Sequence, residues 1–168
     1  MWWPMQCWKR EMRKRSKYRP KGILPDPMTW LLAGMKPFKE VPFSVDLRIK
    51  NHGSMDALRR GVATKDDIDV LISAFNMTEA YVRLRPDLGA DWCDEIKAGL
   101  DALHAVAVRG AKSMRFILKA QELVAMNLVM EIHDVQLDQT TVKDLEQAMD
   151  IVKEEYRLRK MRAIKESV

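Results

Sequence analysis

Residues 120–137 read AQELVAMNLVMEIHDVQL, and the spread of their apolar side chains decides the fold class. Leu123, Met126, Leu128, Met130, Ile132, Val135 and Leu137 do not keep to one stripe; they cover much of a helical circumference. A helix that is apolar nearly all round belongs at the centre of a domain, with other helices as its cover. The flanking sequence supplies that cover. Residues 140–164, TTVKDLEQAMDIVKEEYRLRKMRAI, open with Thr141 as a cap and Asp144 three residues on, a capping box with Asp in place of Glu. They then place Val142, Leu145, Met149, Val152, Tyr156 and Met161 on a core stripe. Arg157, Arg159, Lys160, Arg162 and Lys165 collect at the last turns, where cations suit the negative end of the helix dipole.

Upstream, TKDD at 64–67 repeats the capping pattern with Thr64 and Asp67, and Ile68, Leu71, Ile72, Phe75 and Val82 recur on one face of the helix that follows. That helix should end near Arg85, before Pro86. Ahead of it, SVDLRIKNHGSMDALRRG (44–61) reads as helix with a weak point at Gly53, a second start at Ser54 and a stop at Gly61. A further helix should run from about Asp91 with Trp92, Ile96, Leu100, Leu103 and Ala107 buried, then break between Gly110 and Lys119. No useful β-alternation occurs. Residues 44–168 are therefore expected to form an all-α bundle of four to five helices, with methionines filling gaps in its core.

The first 43 residues differ in kind. Six of the seven prolines (Pro4, Pro20, Pro25, Pro27, Pro37 and Pro42) fall there, which predicts an extended arm rather than a core element. Within it RKRSKYRPKG (13–22) holds six basic side chains. Residues 1–22 carry eight Lys/Arg against Glu11, a charge of +7; the remaining 21 basic and 23 acidic residues leave 23–168 at −2. The basicity belongs to the arm. Trp2, Trp3, Trp8, Tyr18, Trp30, Phe38 and Phe43 are interleaved with it or follow it.

With 47% of residues hydrophobic and 32% charged, the composition is that of a globular chain rather than a disordered one. No run of eighteen apolar residues exists, which argues against a membrane span, and the proline and charges near the start argue against a signal peptide. A cytoplasmic protein is expected, with Cys7 and Cys93 as free thiols.

Four stretches together, RKRSKYRPK, DLRIKNH, DDIDVLISAFNMTEA and EIHDVQLDQTTVKDLE, resemble a group of small uncharacterised proteins of proteobacterial phages and prophages. The resemblance extends from about Met12, which is then a candidate start, to the final helix. It implies a setting, the infected bacterial host, and no mechanism.

Candidate chemistry outside the arm is sparse. His133 and Asp134 are adjacent, but the helical metal hydrolases with such a pair need further ligands, and only His52 and His104 remain. Glu131 and His133, two apart, point to different helix faces, so a hydrogen-bonded histidine at a helix interface is expected. Asp66, Asp67 and Asp69, and again Asp91, Asp94 and Glu95, sit in first turns, where carboxylates complement the dipole. Asn76 and Asn127 border apolar stripes and should make interhelical hydrogen bonds. No phosphate-binding loop, nucleophile elbow or Cys-His pairing is present as a motif, and no cofactor or metal is expected.

The resulting expectation is a non-catalytic binding protein. Arg13, Lys14, Arg15, Lys17, Arg19 and Lys21 would hold phosphates, with Tyr18 and Trp30 stacking on bases, so that the arm engages nucleic acid or a host nucleoprotein complex. The alternatives are an inhibitor of a host defence or transcription enzyme, anchored by Trp30, Phe38 and Phe43, and a metal-dependent helical enzyme. A homodimer is expected too, because the apolar surface of the 120–137 and final helices exceeds what short neighbours cover.

Overall fold

Two threonines start two of the helices in the way their spacing foretells. Thr64 Oγ1 accepts from the Asp67 backbone N–H at 3.4 Å while Asp67 Oδ2 accepts from the Thr64 N–H at 2.8 Å. Thr141 and Asp144 repeat the exchange at 3.2 and 2.9 Å. Each box satisfies donors that a helix start otherwise leaves without partners. The computed structural model describes residues 27–113 and 115–158. It contains α1 (Pro27–Met35), α2 (Pro42–Arg59), α3 (Lys65–Leu84), α4 (Cys93–Ser113), α5 (Ala120–Gln139) and α6 (Val142–Arg157). Among the described residues there is no strand, and one isolated bridge joins Pro37 to Thr141. The all-helical bundle is thus as expected.

Helices α2 to α5 follow one another up and down, and α2 lies antiparallel beside α5. Arg48 pairs with Asp138 at 2.6 Å, His52 with Asp134 at 2.8 Å, and Arg59 donates to Asn127 Oδ1 at 2.5 Å, one register along the whole length. Asn127 thereby makes the interhelical bond expected of it. Helix α2 is continuous through Gly53, and the chain stops it at Gly61, whose φ of 70° suits a residue without Cβ. The break after Gly110 is real: α4 ends at Ser113 and α5 begins at Ala120.

Four sequence expectations need correction. The extended arm does not reach residue 43, because Pro27 stands at the start of α1, a position where its missing N–H costs nothing. Phe38 is 1% exposed and belongs to the core, and its N–H donates to the Thr140 carbonyl at 2.9 Å while Val142 N–H donates to Lys36 O at 3.2 Å. Trp92 is 47% exposed because it sits in a 3-10 turn, Ala90–Trp92, ahead of α4 and off that helix's buried stripe. On α6 the buried residue is Ala148, flanked by half-buried Leu145, Ile151 and Val152, so the face is rotated and Met149 and Tyr156 point to solvent. Met161 lies outside the described residues. Val135 of α5 is exposed for a similar reason, since α2 covers the Asp134 and Asp138 side.

The core has two apolar clusters stacked along α3 and α5. One gathers Met55, Leu58, Leu71, Phe75, Leu103, Val106, Met126 and Val129, and the other Phe38, Ala80, Tyr81, Leu88, Leu137 and Ala148. Between them in chain order, on α3 and on α5, lie Thr78, His133 and Gln136, all buried. Asn51 of α2, between Leu47 and Met55, completes a polar layer at the same level.

Candidate functional site

The basic residues predicted to bind, Arg13, Lys14, Arg15, Lys17, Arg19 and Lys21, and with them Tyr18, lie outside the described residues. Trp30 falls on the backbone of α1, and its side chain is outside the described ones. Phe43 is exposed, but Phe38 is enclosed by the core and cannot serve a partner, which removes one of the three aromatic anchors. Helix α1 also exposes Met28, Leu31, Leu32 and Met35, spaced as a single apolar face.

Sequence reading missed a basic surface that the fold assembles at the α4–α5 connection. Residues 109–119 contain Arg109, Lys112, Arg115 and Lys119 and no acid. Arg109 gives the connection its shape: its guanidinium donates to Glu122 Oε1 and Oε2 at 2.7 and 2.5 Å and to the Ile117 carbonyl at 2.9 Å. Glu122 in turn accepts from the Lys119 N–H at 2.9 Å, so the Arg109 hydrogen bond, with that backbone N–H, holds its carboxyl below the usual range. Ser113 closes the turn by its hydroxyl contacts with the Arg109 and Arg115 carbonyls, at 2.9 and 3.0 Å. Lys112, Arg115 and Lys119 remain exposed around a recess of about 430 Å³. The available signal was the run of eleven residues without an acid.

The second feature is a cleft of about 730 Å³ between α2 and α3, with α5 beneath. Leu47, Met77, Leu137 and the polar-layer residues Asn51 and His133 line it, and Lys50, Asp66, Asp69 and Ser73 stand along it. Asp67 is occupied: beyond the cap it accepts from Ser54 Oγ at 3.0 Å, and the Thr64 hydrogen bonds hold its carboxyl below its ordinary range. His133 is 2% exposed, and burial pushes its imidazole down to about 4, against a smaller opposing effect of Asp134. It is neutral at pH 7. Its Nδ1 lies 3.1 Å from Thr78 Oγ1, the interface hydrogen bond that the sequence led us to expect. Asp134 instead meets His52, so the adjacent His-Asp pair serves two different helices. Burial likewise pushes the Tyr81 phenol up, so both buried groups are held in their neutral forms.

Among the described residues no three His, Cys, Asp or Glu side chains gather as a metal site would require, and no helix is long and apolar enough to cross a membrane. No family model, curated protein or solved structure matches the chain.

Proposed function

We propose that this protein is a non-catalytic binding protein, acting in a phage-infected bacterial cell, whose basic segment at residues 13–22 engages nucleic acid or a nucleoprotein complex. The observation that carries the reading is the charge segregation: +7 in residues 1–22 against −2 in 23–168. A phosphate backbone is the partner such a segment fits, because each neutralised phosphate releases condensed counterions. The exposed Lys112, Arg115 and Lys119 lend it a second basic surface on the folded body.

The test is a salt titration of binding to a labelled duplex and a labelled single strand. If about five phosphates are contacted, the logarithmic slope is roughly −4.5, and affinity falls on the order of several hundredfold between about 50 and 200 mM salt. Exchange of Arg13, Lys14, Arg15, Lys17, Arg19 and Lys21 for Gln should abolish binding with helical content unchanged. Failure of both probes to bind at low salt overturns the reading. The protein-inhibitor alternative then takes its place, favoured by exposed Phe43 and the apolar face of α1, and it predicts an affinity that salt barely alters.

A further inference from the structure

The polar layer carries an unmet hydrogen-bonding demand where it borders the cleft. Thr78 Oγ1 donates to the Ala74 carbonyl at 3.0 Å, so its one proton is spent, and its oxygen accepts from His133 at 3.1 Å. This network assigns the proton of the neutral imidazole to Nδ1 and makes Nε2 an acceptor. Nε2 is buried with no partner, and Asn51 Nδ2, a donor on a residue 2% exposed, is buried with none either. Both residues line the cleft. Native interiors seldom leave such groups unpaired, because the loss is not recovered elsewhere. The 730 Å³ alongside them far exceeds the roughly 30 Å³ of one water molecule and falls in the range of small-molecule sites.

Charge restricts the occupant. Asp66, Asp67 and Asp69 stand along the cleft against Lys50 alone, so the cleft disfavours anions and is no extension of a phosphate-binding surface. Leu47, Val70, Met77 and Leu137 offer an apolar wall.

We propose that the α2–α3 cleft binds a small uncharged ligand with a carboxamide-like edge, which accepts a hydrogen bond from Asn51 Nδ2 and donates one to His133 Nε2 while its apolar body lies along Leu47, Met77 and Leu137. The inference stands independently of the nucleic-acid reading, since it uses different residues and a cleft that disfavours the anions the basic segment would bind.

The test uses the full chain and three probes of one shape: benzamide, with donor and acceptor; benzoate, anionic and acceptor-only; and benzamidine, cationic and donor-only. Nitrogen-15 NMR follows the His133 imidazole and the Asn51 side-chain amide. Benzamide should shift both signals saturably with an affinity of about millimolar, ordinary for so small a probe; benzoate should bind about tenfold more weakly, and benzamidine, which offers no acceptor, should leave the Asn51 amide signal unshifted. Asn51→Leu should weaken benzamide about tenfold, and Asn51→Ser serves the same purpose if the leucine disturbs the fold. Equal binding of benzoate, a benzamidine-induced shift of the Asn51 amide equal to that of benzamide, benzamide shifts that persist unweakened in both variants, or the absence of a saturable shift up to about 20 mM each overturn the proposal.

Discussion

His133 shows how one residue can hold a layer together and make the fold sensitive to acid. Its folded pKa of about 4 lies below the ordinary 6.5, so between those values the unfolded chain binds a proton that the native protein does not. The contribution is complete above about pH 6.5 and is lost as pH falls toward 4, to a total of about 3 kcal/mol. Urea midpoints taken from pH 7 to 4.5 should fall accordingly, with a shallower fall in His133→Gln, and the wild-type imidazole should stay about nine-tenths neutral or more by NMR above about pH 5. Asp67 and Glu122, both held low, act in a more acidic window: what they contribute is present above their unfolded values and is lost below them. Gly99 is a different kind of single-residue constraint. A Cβ there would meet Val129 Cγ2 at 2.2 Å and the Ala125 carbonyl at 3.2 Å, so Gly99→Ala should destabilise by about 1–3 kcal/mol although alanine is the better helix former. A higher thermal midpoint in that variant would show that α4 and α5 can part without cost.

At the scale of elements, the caps do most to place helix starts. Thr64→Ala removes the side-chain half of one box and Thr141→Ala that of the other, and each should cost about 1 kcal/mol in chemical denaturation. The two sites share no partner, so the double variant should lose close to the sum. Helix α5 owes its position to what surrounds it: α3 and α4 on its apolar sides and α2 on its acidic edge. Helix α6 is held differently, across α3 through Ala80 and Ala148 in one cluster, with Arg83 paired to Glu155 and Arg85 to Asp144. Alanine marks a close crossing but is a weak sign of burial in a sequence. Larger neighbours such as Met149 and Tyr156 then draw the expected stripe to the wrong face.

For the whole molecule, the segment before α2 is part of the folded body at least from Lys36 to Phe38. A chain beginning at residue 27 keeps every contact described here, whereas one beginning at Ser44 loses Phe38 and both backbone bonds to 140–142. The shorter chain should be less stable than the longer by about 3–5 kcal/mol, the usual cost of emptying a buried phenylalanine site. Equal denaturant midpoints for the two would place Phe38 outside the cooperative core.

The helical class, the two capping boxes, the break after Gly110 and the concentration of positive charge before residue 23 were all determined by the sequence by itself. Each rests on interactions within about one helical turn or on a plain count of charges, so no knowledge of packing is needed. Tertiary structure alone decided the burial of Phe38, the face of α6 and the polar layer. Asn51 could have drawn attention as a polar residue in phase with Leu47, Ser54 and Leu58, but that phase is known only once α2 is set against α3 and α5. Thr78 and His133 are 55 residues apart, and His52 and Asp134 are 82 apart. Whether such side chains meet depends on how each helix is rotated about its axis, which is set by packing between helices, of which the close approach of Gly99 to Val129 is one instance, and not by any local pattern.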